Sequence, residues 1–495
     1  VASRLSENPD VTVLLLEAGG SDDVAEVRQP ESWPANLGST RDWSFTSKPT
    51  KHLNGRSLLL SMGKVLGGGS SINVMVWARG HRSDWDHFAA ESGCPAWNYD
   101  SVLAIYRRIE DWHGTPDPEY RGQGGPVFVQ PAPNPNPLAP AILAATSAYG
   151  IPTFGHQNGL MMEGVAGASI LDLCVRDGHR RSIFRSYVLP VIDRANLTVL
   201  TGARVTRLAS RGGIISGVEF RWRGVNQSVR AGTEVVLSLG AINTPKVLMQ
   251  SGIGDHQQLQ RHGIPVVQHL PGVGRNFQDH PRLESVWEHR FPVAPRNNGA
   301  EVTYFWGSTP GLTSPDVQTC VAETPIASRE NGVRYGMPKN GWTLIAGVVA
   351  PKSRGHIELT GPDPDDAVCI EANMLSAPED LRTAVAAVEL SREIGNSPEM
   401  RPFALREVMP GPLKGVKLEQ YIREAAQTYW HQCGTAKMGR DAMSVVDGEL
   451  SVHGVQNLRV ADASIMPRVT TGNTMAPCVV IGERAADILR IEHSL

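Results

Sequence analysis

The chain has 495 residues, which at about 150 residues per domain is two to four domains' worth or one large interleaved pair, with at least one full core. Apolar residues make up 41% and charged residues 20%, a composition that excludes disorder as the main state. Lys+Arg 47 against Asp+Glu 50 leaves a net charge of −3, which asks for neither nucleic acid nor an anionic membrane, and no apolar run approaches the ~18 residues of a membrane span.

Residues 1–8 (VASRLSEN) read as the tail of a helix, Pro9-Asp10 as a turn, and 11–16 (VTVLLL) as a buried strand that ends on Glu17, followed by Ala18-Gly19-Gly20. Helix tail, strand and terminal acid form the second half of a dinucleotide-binding βαβ unit, in which the acid holds a ribose diol. Such an acid stands about 20 residues after a glycine fingerprint, and counting back from Glu17 leads off the chain. The expectation is that a first strand and phosphate loop lie outside this sequence, which leaves any signal peptide and the location open.

Residues 63–73 (GKVLGGGSSIN) are the densest small-residue stretch. Its glycines let backbone approach a flat or anionic ligand, and its serines can donate hydrogen bonds. It is no Walker loop, because no Ser or Thr follows Lys64. Residues 74–79 continue as an apolar segment, and a helix is expected after Ser83 as cap with Asp86 three residues on. The Pro/Gly-rich stretch 115–140 is expected as a surface excursion or domain crossing. Residues 198–208 and 217–222 read as strands around Arg211-Gly212-Gly213. Residues 234–239 (EVVLSL) form another buried strand running through Gly240-Ala241 toward a helix, with Thr244 as cap and Pro245 in the first turn. A regular amphipathic helix is expected over 375–395. The six cysteines, at 94, 174, 320, 369, 433 and 478, have neither CxxC nor zinc spacing and read as free thiols. The sequons at Asn196 and Asn226 say little about secretion.

Chemistry concentrates near the C-terminus: 429–435 (YWHQCGT), the acid-ended strand 460–464 (VADAS), and 471–477 (TGNTMAP), with Pro477 opening a helix through Leu489. A histidine among aromatics can be a general base, but with 15 histidines the residues alone do not single out His431. There is no G-x-S-x-G and no HExxH, so serine and zinc hydrolase readings find no support. A nicotinamide dehydrogenase would share the acid but leave the other blocks unexplained.

Together, residues 63–86 (GKVLGGGSSINVMVWARGHRSDWD), 240–254 (GAINTPKVLMQSGIG), 271–280 (PGVGRNFQDH), 351–359 (PKSRGHIEL), 431–439 (HQCGTAKMG), 457–477 (NLRVADASIMPRVTTGNTMAP) and 481–489 (IGERAADIL) resemble, in family order along nearly the whole chain, the glucose-methanol-choline family of FAD-dependent oxidoreductases. The resemblance implies an α/β (α+β) fold, with a Rossmann-like FAD-binding domain (1–90, 160–275 and 445–495) interleaved with a sheet-plus-helix substrate domain (91–159 and 276–444). It implies that Glu17 and Ala18 hold the adenosine ribose, Val205 meets adenine, and Gly67, Gly68, Gly69, Ser70, Ser71 and Asn73 lie against flavin and pyrophosphate with Val74 facing the reactive ring. Ser238 and Gly240 would line the cofactor channel, Asp462 and Ala463 would sit at the flavin's ribityl chain, and Asn473, Thr474 and Met475 would close over the flavin. His431 matches the catalytic histidine and Asn473 its partner. Some relatives carry a histidine before the first-signature Asn and link it to the flavin; Ile72 stands there, which implies non-covalent FAD. The function implied is oxidation of an alcohol to an aldehyde or ketone by hydride transfer to flavin N5, with oxygen or another acceptor taking the electrons. The alternatives are a flavin-containing hydroxynitrile lyase of the same family and an inactive fragment lacking the phosphate loop. Trp77, Trp306, Trp342, Phe403 and Trp430 are the aromatic candidates for the substrate cavity; the partners expected are substrate and acceptor, with no nucleic acid and no membrane span.

Overall fold

The computed structural model describes residues 1–495. After the short helix Ala2–Leu5, the run of three leucines forms the strand Val13–Glu17, parallel to Leu197–Thr201 with Glu17 opposite Thr201. Val235–Leu237 pairs in parallel with Leu458–Val460. These two parallel pairs end at Glu17 and just before Asp462, so both acids stand at carboxyl ends of strands, where α/β folds bind ligands. The expected strand 198–208 is broken at Gly202, whose φ of 67° turns the chain out of one sheet and into another. Ala203–Arg211, Ile214–Trp222 and Val225–Arg230 then form an antiparallel meander. Its first two-residue turn is Gly212-Gly213, both at positive φ, the conformation that matches the twist of the flanking strands and that glycine adopts without strain.

The second architectural unit is an antiparallel sheet in the order Ala404–Met409, Pro281–His289, Gly341–Val348, Val317–Ala322, Val302–Trp306, Gly167–Ile170, with Gln427–Thr428 also pairing with Pro281–His289. Gly167–Ile170 comes from the stretch that the sequence places with the cofactor part, yet it forms this sheet's edge. Period-two alternation splits the strands into two faces. Trp287, Val321, Leu344 and Val317 pack toward the helix Pro378–Gly395. Trp287 and Trp342 are register partners with rings stacked 4.5 Å apart. Gly395 makes room for them, since a Cβ there would lie 2.2 Å from the Trp287 ring. Burying each such side chain stabilises the fold by roughly 1.5–3 kcal/mol. The opposite face, with Gln318, Cys320, Ala322 and Ile345, is turned toward the site.

Several local expectations are corrected. The helix Arg82–Ser92 is capped by His81, in a reciprocal box with Asp84, and not by Ser83 with Asp86. Thr244 and Pro245 lie inside the helix Gly240–Gln250, which starts at the glycine because Asp462 accepts from the Gly240 N–H at 2.9 Å. The terminal helix begins at Met475, two residues before Pro477, and runs to Glu492. Residues 74–79, read as an apolar segment, make a single bridge at Val76. The 115–140 excursion contains the strand Val127–Pro131, parallel to Glu110–Trp112. All six cysteines are free. No helix is long and apolar enough to cross a membrane.

Candidate active site

A continuous cavity of about 1040 Å³ runs from the ends of the parallel strands to the antiparallel sheet. At one end stands Glu17, whose Oε1 accepts from the Gly19 N–H at 2.6 Å. Burial raises its carboxyl to about 7 against that hydrogen bond, so hydroxyl donors arriving from a ribose would meet an acceptor short of partners. Ala18 and Val205 line the same end.

The glycine loop forms the middle wall. Gly67 and Gly68 have φ of 89° and 54°, accessible to glycine at little cost. Ser70 Oγ donates to Gly67 O at 2.7 Å and accepts from Ile183 N at 2.9 Å. Gly67, Gly68, Gly69, Ser70, Asn73 and Val74 line the cavity, as do Ser238, Gly240, Asp462, Ala463, Asn473, Thr474 and Met475. Ser71 does not: it is fully buried and donates to Leu66 O at 2.6 Å, bracing the loop from behind. Arg180, with no role in the sequence reading, sits behind the same loop. It is 1% exposed and donates to Val27 O, Ser70 O and Asn73 Oδ1 at 2.7, 3.1 and 2.9 Å.

These residues fit FAD. A Cβ on Gly69 would meet no protein atom within 4 Å, so the loop has an open side free for a close ligand, while a Cβ on Gly63 would strike the loop's backbone. The terminal helix Met475–Glu492 opens on the cavity with no side chain capping it, and its positive end favours a ligand that carries or gains negative charge.

At the other end is His431. Its ring lies parallel to Tyr429, centroids 5.2 Å apart, and its Nδ1 is 2.9 Å from Nδ1 of His280. Asn473 Nδ2 lies 3.3 Å from His431 Nε2, and Asn473 Oδ1 accepts from Gln318 Nε2 at 3.2 Å. These contacts assign one consistent network. Gln318 turns the Asn473 amide so that its NH₂ donates to His431 Nε2. That nitrogen is therefore unprotonated, and Nδ1–H donates to His280 Nδ1. Burial lowers the His431 ring to about 3 and His280 well below an ordinary histidine. The backbone that presents the ring is held from outside the cavity. Asp279 Oδ1 accepts from His431 N at 2.9 Å and Oδ2 accepts from Thr428 Oγ1, which in turn accepts from Trp430 N at 2.7 Å. Trp430 itself sits at φ 62°, a conformation uncommon for a bulky residue and found where surroundings over-determine it.

Of the five aromatic candidates only Trp430 lines the cavity, joined by Trp33 and Trp43. Reasoning from sequence missed His280, Asp279, Gln318 and Arg282. Three of the four lie in or beside the 271–280 block, which carries an acid and a histidine in succession and was the available signal.

Comparison with known proteins agrees with this geometry. The models of the N- and C-terminal regions of the GMC oxidoreductases match residues 14–282 and 351–482. The chain is 37% identical over 525 aligned positions to an oxygen-dependent choline dehydrogenase of Citrobacter koseri, covering 99% of this chain and 92% of the relative. It is 35% identical to an alcohol dehydrogenase [acceptor] of Pseudomonas putida, covering 99% and 93%. Among solved structures, pyridoxine 4-oxidase from Mesorbium loti superposes with a TM-score of 0.94 at 32% identity, covering 100% of this chain and 96% of that one.

Proposed function

The chain belongs to the GMC oxidoreductase family and is an FAD-dependent enzyme acting on CH–OH donors, and from that premise we propose that it oxidises an alcohol to an aldehyde or ketone with His431 as the base. The observation that carries this reading is the unprotonated Nε2 of His431, a cavity-lining residue, held as a hydrogen-bond acceptor by the Asn473 amide. FAD, when bound, supplies a hydride acceptor at N5.

The chain's own residues do the rest. His431 Nε2 takes the hydroxyl proton, which makes the carbinol carbon a better hydride donor. Asn473 Nδ2 exchanges its contact with the imidazole for the substrate oxygen and holds that oxygen in place, with Gln318 fixing which way the amide faces. His280 keeps the His431 proton on Nδ1, so the reactive nitrogen is the correct one. Tyr429, Ile345 and Ala322 close the far wall with apolar surface and exclude water. Oxygen or another acceptor then takes the electrons. Ile72 lines the cavity beside Asn73 and offers no nucleophile, so FAD is held without a covalent bond, and acid precipitation of the protein is expected to release the flavin into the supernatant.

The deciding experiment is the visible spectrum of the FAD-loaded enzyme mixed with primary and aromatic alcohols under nitrogen. Bleaching of the flavin is expected; a spectrum unchanged by every alcohol, with cyanide released from a hydroxynitrile, would favour the lyase. The pH dependence is a second check. Because burial holds His431 near 3, the base is unprotonated above that value. The rate of flavin reduction is therefore expected to show no His431 inflection near 6.5 between about pH 8 and about pH 5. Asp279, raised to about 7 by burial, is the other titrating group at this backbone, and Asp279→Asn separates its contribution. A loss of rate through 6.5 that persists in Asp279→Asn would mean that the base is more hydrated than its burial indicates.

A further inference from the structure

The substrate end of the cavity carries a cation that the reaction does not require. Arg282 is 6% exposed and lines the cavity. It belongs to the strand Pro281–His289, on the face shared with Glu284 and opposite to the face of Trp287. Its guanidinium lies over the ring of Trp430, 4.4 Å from the centroid, and Trp430 directly precedes the base His431. Nε is 3.2 Å from Glu284 Oε1. The rest of the guanidinium fork makes no hydrogen bond to protein.

One buried carboxylate, Glu284, faces this cation. Glu284 is buried and raised to about 7 by that burial, and it also receives Gln427 Nε2 at 3.2 Å. Asp279 is committed to the His431 N–H and Thr428. Of the four carboxylates that line the cavity, Glu17 and Asp462 stand with the cofactor loops, Glu483 is held by Arg4 at 2.9 Å, and Glu31 is exposed. The aromatic face that would receive a quaternary ammonium, that of Trp430, is already covered by a guanidinium.

Resting on the alcohol-oxidation reading above, we infer that Arg282 is the receptor for an anionic group on the substrate, so that the alcohol oxidised here carries a carboxylate. A planar fork with free donors matches a carboxylate in two-point contact. Trp430 beneath it and Trp33, whose ring meets Trp430 edge-on at 6.0 Å, supply a flat apolar wall for the spacer between carboxylate and carbinol.

The test is titration calorimetry of the FAD-loaded enzyme with three unreactive probes: benzoate, benzamide and benzyltrimethylammonium. Benzoate is expected to bind about tenfold or more tightly than benzamide, a difference of one charge-assisted contact. Arg282→Met should abolish that preference, Arg282→Lys should keep part of it, and Arg282→Glu should turn it toward benzyltrimethylammonium. Equal affinity for benzoate and benzamide in the unmodified enzyme, no binding of either, or a preference unchanged in Arg282→Met would each overturn the assignment. Anaerobic flavin reduction by p-(hydroxymethyl)benzoate and its amide separates the two readings. Equal bleaching by both counts against the receptor and leaves alcohol oxidation standing. Bleaching by neither counts against carboxylate-bearing alcohols as substrates, while the wider alcohol panel decides alcohol oxidation and the calorimetry decides Arg282.

Discussion

Replacing His431 by Gln is expected to leave the protein folded and fully loaded with FAD, and to slow anaerobic flavin reduction by an alcohol by about 10²–10⁴-fold, the usual contribution of a general base. The substitution is chosen for what it keeps. Gln approximates the length of the ring and can donate to His280, so the buried Nδ1 is not simply left without a partner, whereas Ala would open a void beside Tyr429 and cost stability by a separate route. What Gln cannot supply is a lone pair that accepts a proton at neutral pH. His280 cannot take over. It is fully buried, does not line the cavity, and its Nδ1 points at His431 and away from substrate. A loss of less than about tenfold, with FAD content unchanged, would show that positioning by Asn473 and the cofactor carries the step, and that His431 serves chiefly to orient.

The parts of this site that were legible in the sequence are those whose physics is local. A run of leucines ending on Glu17 needs only its own hydrophobicity to be read as a strand with an acid at its end. The cluster Gly67 to Asn73 needs only its lack of side chains to be read as a surface for close approach. His431 and Asn473 came from motif resemblance, because nothing local distinguishes one histidine among 15. What stayed hidden depends on pairing across the fold. His280 meets His431 from 151 positions away, and Arg282 reaches Trp430 because Pro281–His289 pairs with Gln427–Thr428. Ser71 was placed at the cofactor because it is a serine in the right stretch, yet the turn Gly68–Ser71 sends its hydroxyl inward to Leu66 while Ser70 stays at the wall. The helix caps failed for a related reason: Asp462, remote in sequence, starts the helix at Gly240 before Thr244 can cap it.

The second large effect is expected at Gly63, which lines the cavity beside the glycine loop. Gly63 is not at positive φ, so alanine suits its backbone conformation, and space alone decides. A Cβ there would lie 2.2 Å from the carbonyl carbon of Gly68, 2.3 Å from its oxygen and 2.6 Å from the nitrogen of Gly69. All three are backbone atoms of the loop that faces the cofactor, and none can rotate away. Restoring an ordinary contact requires that loop to move by about 1 Å, a misplacement that costs on the order of 10²-fold when it displaces a positioned group, with overpacking strain of roughly 1–3 kcal/mol in addition. Ser70, Ser71 and Arg180 oppose the movement, since each is bonded to the loop's present course. Gly63→Ala is therefore expected to purify with little or no flavin absorbance and a lowered melting temperature. Gly69→Ala gives the discriminating comparison. Its Cβ would meet no protein atom, so the melting temperature of the apoprotein should hold while FAD binding weakens, because the methyl group takes space on the cofactor side. If both variants lost stability equally before FAD is added, the loop would be a structural element whose glycines serve folding. If Gly63→Ala alone lost stability and both lost FAD, one face of the loop would be fixed by the protein and the other reserved for the flavin.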